Sequence, residues 1–274
     1  MEKLSFFRKM ILCFRPRDIF RSEDGRTVIR DAVENGRVVR LLLVNGIRES
    51  GIYLDERIDR DPLFYYMQTL KEISCYYDGL DDALLIGGGG LAFPRYYFDA
   101  RPNGRMTVIE KDTKMVDLAK KYFFVKEDNR LSLKISDGAS YIIKTATENA
   151  LVLDSAEKGT YNSHVQGSAE KGTYSSRLQD STGKKAYSFI IFDAFDGNRP
   201  PKELFSEEMY KLTKQIMKRD GILAMNMLNE SPGVISMQTY LVQSTLKSIF
   251  RNTKIINCRE GWNCILLSSD RNDL

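Results

Sequence analysis

The sequence predicts an α/β protein: a doubly wound, mostly parallel sheet of seven strands, preceded by a small β domain. Three observations predict it. From residue 83 onward, short apolar runs alternate with segments whose apolar residues recur at helical spacing. The run 83–86 (ALLI) enters four consecutive glycines, Gly87, Gly88, Gly89 and Gly90, and a second run, 106–109, ends in the acid Glu110, 23 residues beyond Gly87. The last two strand candidates are joined only by residues 259–262, too short for a crossover helix, so they must pair antiparallel.

The totals set the class. At 274 residues the chain is long enough for one large domain, or for a main domain with a small companion. Hydrophobic content of 42% and charged content of 28% are ordinary for a globular enzyme, and 41 basic against 37 acidic residues give a net charge of only +4. That balance, with no recognisable motif, argues against a nucleic-acid partner. Cys13, Cys75, Cys258 and Cys264 are scattered without a CxxC pair and read as buried free thiols, which suits a reducing, cytoplasmic setting. The single histidine, His164, lies in a polar stretch, so a histidine zinc site or a Ser-His-Asp triad is not expected, no metal is predicted, and any general base must be a carboxylate, tyrosine or lysine. No stretch reaches the roughly 18 apolar residues of a membrane span.

In chain order, residues 1–25 read as a basic, partly apolar extension able to form a short amphipathic helix, without the features of a signal peptide. Residues 26–60 form the small β domain: a run at 38–44, an Asn45-Gly46 turn and a return strand at 47–54. Residues 62–77 carry apolar side chains at helical spacing and open the α/β domain, 61–274. Strands are predicted at 83–87, 106–110, 131–135, 188–193, 221–227, 253–258 and 263–268, with helices near 94–99, 112–123, 137–144, 203–218 and 233–250. A parallel sheet closed by a C-terminal antiparallel strand is the layout of class I methyltransferase-like folds.

Residues 146–185 break this rhythm. They are polar, and SAEKGTY at 155–161 recurs at 168–174. Two polar copies are too few for a solenoid, so the segment reads as a duplicated surface insertion, with a lid over the site as the functional alternative.

The residues that carry chemistry cluster at the carboxyl ends of the predicted strands, where open α/β sheets bind ligands. Gly87, Gly88, Gly89, Gly90, Leu91 and Ala92 fit G-x-G-x-x-A, and with the strand before and Glu110 after, they point to an adenosine-containing ligand. Glu110 can accept both ribose hydroxyls. Asp137-Gly138 ends the third strand, where Asp137 can accept from an adenine amino group, cap the following helix, or do both. Asp193 and Asp196 follow the apolar strand 188–192 and reach the same mouth, where an acid can deprotonate an amine nucleophile or bind a cationic acceptor.

Several segments together resemble the spermidine synthase (polyamine aminopropyltransferase) family, most closely its bacterial spermidine synthase-like branch: VIEKD at 108–112, the Asp137-Gly138 pair, IIFDAFDGNRPPKELFSEEMYKL at 190–212, DGILAMNM at 220–227 and LLLVNGIRESGIYLDERIDRDPLFYYM at 41–67. The resemblance covers about 37–270 apart from the insertion. It implies that Gly87, Gly88, Gly89 and Gly90 line a donor site, that Glu110 holds the ribose and Asp137 faces the adenine, and that Asp193 activates the attacking amine. Asp196, Tyr65 and Glu49 would belong to the acceptor side. The donor implied is decarboxylated S-adenosylmethionine, the acceptor a small amine such as putrescine, and the assembly a homodimer. The sequence departs from the family in three places: Gly90 stands where the family carries an acid, Tyr65-Tyr66-Met67 replaces Tyr-His-Glu, and Glu49 replaces a glutamine near the donor sulfur. A methyltransferase using intact S-adenosylmethionine on the same scaffold is the second expectation. A non-catalytic nucleoside-binding module is the third, and a dinucleotide oxidoreductase lacks the catalytic residues it would need.

Overall fold

Asn-Gly pairs shape the N-terminal sheet. Asn35-Gly36 and Asn45-Gly46 all have positive φ, from 48° to 79°, the signature of two-residue hairpin turns whose twist matches the strands they join. They connect strands Thr27–Glu34 (β2), Arg37–Val44 (β3) and Ile47–Tyr53 (β4), and Arg17–Arg21 (β1) adds an outer edge to give the order β1-β2-β3-β4, all antiparallel. The computed structural model of the chain describes residues 10–13, 15–54, 61–159, 186–195 and 200–274. The residues 17–21 expected in the N-terminal extension therefore belong to the sheet; their mixed RDIFR sequence lacks a clean alternation because an edge strand buries little.

Helix Tyr65–Tyr76 (α1) leads into the larger sheet. Its elements are Asp82–Gly87 (β5), Phe93–Ala100 (α2), Arg105–Glu110 (β6), Thr113–Tyr122 (α3), Leu131–Ile135 (β7), Gly138–Gly159 (α4), Tyr187–Asp193 (β8), Glu207–Gln215 (α5), Met217–Leu228 (β9), Met237–Lys247 (α6), Asn252–Asn257 (β10) and Asn263–Ser269 (β11), with a short 3-10 turn at Lys202–Leu204. The strand order is β10-β11-β9-β8-β5-β6-β7. β11 slips between β9 and β10 and runs antiparallel to both, while β5, β6, β7, β8 and β9 are parallel. This is the predicted doubly wound sheet with its antiparallel closing strand.

The period of two along β5 sends alternate side chains into two cores. Ala83 and Leu85 join α1, α2 and α3 on one face, and Leu84 and Ile86 join α4, α5 and α6 on the other. The first core also receives Ile29, Leu42 and Ile52 from β2, β3 and β4, so the small sheet is packed onto the large one and β4 lies beside the glycine turn. Among the described residues no helix is long and apolar enough to cross a membrane.

Two expectations change here. The helix predicted at 137–144 runs through residue 159, because the stretch from 145 to 152 continues the helical spacing that buries Thr145, Ala146 and Asn149. The insertion predicted from 146 thus begins later, and most of its repeat lies outside the described residues. Of the four cysteines, Cys258 and Cys264 are buried but Cys13 and Cys75 are exposed.

Candidate active site

A cavity of about 1030 Å³ opens at the carboxyl ends of β5, β6, β7 and β8, roofed by β4 and the first turn of α1. Gly87, Gly88, Gly89, Glu110, Asp137, Gly138, Asp193, Glu49 and Tyr65 all line it. The structure therefore brings together nine side chains or glycines that are spread over 145 positions of the chain. Gly90 does not line the cavity: a side chain there would meet Ser50 at 2.9 Å and Leu42 at 3.5 Å, so its smallness serves the packing of β4 and β3 onto the turn. Asp196 lies outside the described residues.

The glycines are required by geometry. Gly87, Gly88 and Gly89 have φ of 79°, 126° and 50°, conformations that side chains disfavour. A Cβ on Gly87 would stand 2.6 Å from the Asp193 carbonyl oxygen and 2.9 Å from Ala194, so the end of β5 can approach the end of β8 only as glycine. A Cβ on Gly138 would overlap Ile86 Cγ2. The turn is thus fitted closely to the end of β8.

Glu110 ends β6 and is 9% exposed; its Oε1 accepts from the Asp112 backbone N–H at 3.0 Å, and burial raises its pKa. Backbone bonds from Asp112 and Lys111 pull that pKa back, and the residue lines the cavity with them in place. Asp112 caps α3 by accepting from Lys114 N–H at 2.8 Å, so helix capping is done by Asp112 and not by Glu110. Asp137 accepts from Ser140 N–H at 2.8 Å while lining the cavity, which keeps both of its expected roles open.

Asp193 is the most perturbed acid. It is 8% exposed at the end of β8, where Asn226 Nδ2 donates to Oδ1 at 2.8 Å and Tyr66 Oη donates to Oδ2 at 3.1 Å. Burial pushes its pKa up, the bonds from Asn226 and Tyr66 pull it back, and the charge of Glu49 raises it again; the result is about 7. Burial and Asp193 also hold the Tyr66 phenol well above its ordinary range, so it donates and does not ionise. Asn263 Nδ2 in turn donates to Asn226 Oδ1 at 2.9 Å, which fixes the Asn226 amide with its NH2 towards Asp193. A chain of amides from β11 through β9 therefore steadies the acid on β8, an arrangement suited to a general base working near neutral pH.

Sequence reading missed this support. It put Tyr65 on the acceptor side; Tyr65 lines the cavity, with Arg259 Cζ 5.6 Å from its ring, while Tyr66, given no role there, is the residue bonded to Asp193. Asn226 and Asn263 carried one faint signal, an amide directly beside each of the apolar runs 222–225 and 264–267.

No family model matches the chain. It is 24% identical over 201 residues to the polyamine aminopropyltransferase of Prochlorococcus marinus (strain NATL2A), covering 68% of this chain and 56% of that protein. Over 68 residues it is 34% identical to the eEF1A lysine and N-terminal methyltransferase homolog of Drosophila pseudoobscura pseudoobscura, 25% of this chain and 10% of that protein. The chain thus spans only part of the length of either relative. Among solved structures, it superimposes on a probable spermidine synthase from Corynebacterium glutamicum ATCC 13032 with a TM-score of 0.63 at 18% identity, covering 89% of this chain and 77% of that one. A spermidine synthase in complex with the transition-state analogue AdoDATO matches with a TM-score of 0.60 at 18% identity over 93% and 74% of the two chains. Human methyltransferase-like protein 13 in complex with SAH matches with a TM-score of 0.55 at 18% identity over 77% and 84%. By their names both kinds of relative transfer alkyl groups, and the chain shares the fold common to the spermidine synthase structures and methyltransferase-like protein 13.

Proposed function

We propose that the chain transfers an aminopropyl group from decarboxylated S-adenosylmethionine to a small amine such as putrescine. The observation that carries this reading is Asp193: a buried carboxylate whose pKa lies at about 7, held by Tyr66 and Asn226 where β8 meets the glycine turn. In this reading Glu110 accepts from the ribose hydroxyls and Asp137 faces the adenine. Asp193 takes a proton from the acceptor ammonium, and the freed nitrogen attacks the carbon next to the sulfonium in line with the C–S bond. A C–N bond forms, the C–S bond breaks, and its electron pair leaves on sulfur as neutral methylthioadenosine. The protein's share of the work is alignment and deprotonation.

A second reading, methyl transfer from intact S-adenosylmethionine, is favoured by one finding, the 34% identity over 68 residues to a methyltransferase. Product analysis separates the two. Incubated with putrescine and each donor in turn, the protein is expected to release methylthioadenosine; S-adenosylhomocysteine as the product would move the assignment to methyl transfer. If no donor raised the melting temperature, both readings would fail, because a ligand bound to the folded state must stabilise it.

A further inference from the structure

Among the described residues, Glu49 is the one carboxylate of the cavity that is withdrawn from the surface yet has no bonded partner; Glu203 and Glu260, also unpaired, are exposed. It sits on β4, half-buried, against the glycine turn: its carbonyl oxygen and Cβ lie 3.4 and 3.7 Å from where a side chain on Gly89 would begin. Among the described residues no amide, lysine or arginine bonds its carboxyl, and burial alone raises its pKa. The neighbouring Arg48 points elsewhere, donating to Glu34 Oε2 at 2.9 Å with its guanidinium 5.1 Å over the Phe64 ring. Asp193, close enough for Glu49 to raise its pKa, is by contrast held by two donors. Burying a carboxylate without a counter-charge is costly, so such a group is matched to a cation that arrives with the ligand.

We propose that Glu49 reads the tail of the nucleoside donor, taking a terminal ammonium and rejecting a tail that carries a carboxylate. The ligand class is a sulfonium nucleoside whose side chain ends in a primary amine alone. The inference rests on the reading of the cavity as a nucleoside site. Glu49 and Gly89 adjoin each other in the cavity that also holds Glu110. With the ribose assigned to Glu110, that pair is assigned the region beyond the sulfur, where the two donors differ. An added carboxylate would there meet the negative charge of Glu49 at short range with little water to screen it, whereas an ammonium supplies the missing charge.

Calorimetry with three thioethers that cannot react tests this: S-adenosylhomocysteine, its decarboxylated form, and methylthioadenosine, which has no charged tail. The wild type is expected to bind the decarboxylated compound at least about tenfold more tightly than S-adenosylhomocysteine. In Glu49→Gln that preference is expected to shrink by about tenfold while methylthioadenosine affinity holds; Glu49→Ala carries the same expectation should the amide perturb the turn. Binding of methylthioadenosine with an unchanged preference in both variants would overturn the inference and leave the nucleoside reading standing. Binding of none of the three by the wild type would overturn both.

Discussion

The two walls of the cavity are built in different ways. The wall formed by β5, β6 and β7 is local: Gly87, Gly88, Gly89 and Glu110 arise from one strand-turn-helix-strand unit, and Asp137 from the strand after it. The opposite wall is assembled from afar, with Glu49 on β4, Tyr66 on α1, Asn226 on β9 and Asn263 on β11. Asp193 stands where the walls meet. On the proposed function, a ligand's common part is held by a contiguous motif, whereas the choice of tail and acceptor falls to side chains that only the tertiary fold collects.

Breaking the junction should have the largest effect. Asp193→Asn is expected to slow transfer by about 10²- to 10⁴-fold, the usual range for loss of a general base, measured as product release at saturating donor. The wild-type rate should rise with pH through about 7, as Asp193 loses its proton. Stability should move the opposite way. The folded-state pKa lies above the ordinary 3.8, so the contribution of this group is full below the unfolded value and is lost as pH rises through about 7. The pH dependence of unfolding should therefore flatten in Asp193→Asn.

Next in size is Gly87→Ala, which strikes the local wall and the junction together. The φ of 79° and the 2.6 Å approach to the Asp193 carbonyl make a loss of about 2–4 kcal/mol in unfolding free energy the expected result. Gly90→Ala should be milder in activity, because that residue packs on Ser50 outside the cavity. Glu110→Gln probes the local wall alone; it is expected to weaken nucleoside binding about tenfold while leaving the pH profile in place. The smallest effect is expected from Asn263→Leu on the assembled wall. With Asn226 no longer fixed, the rate should fall a few-fold and the acidic limb of the pH profile should move upward, since the bond from Asn226 lowers the Asp193 pKa. An unmoved limb would mean that Asn263 only fills space.

The same contrast explains what the sequence disclosed. The sheet was legible because apolar strands between amphipathic helices, and a connection too short for a crossover, leave one layout. The glycine turn, Glu110 and Asp193 were legible because each ends an apolar strand, and strand ends gather at one mouth. Tyr66 was passed over for Tyr65 because neighbours on a helix differ by 100° of rotation, and only packing decides which of them reaches Asp193. The Asn263–Asn226–Asp193 chain was hidden because strand order places β11 beside β9 and β9 beside β8, adjacencies that no stretch of sequence contains. Gly90 misled for a related reason: four glycines in a row look equivalent, yet three face the cavity and the fourth fits β4.

The most direct test separates binding from chemistry at the junction. Donor affinity and single-turnover rate are measured side by side for the wild type and Asp193→Asn. Affinities within about twofold, with a rate at least about 100-fold lower in the variant, are expected of a base that acts only on the acceptor. An Asp193→Asn protein that turned over at the wild-type rate, or that lost donor affinity in step with rate, would contradict the role given to Asp193.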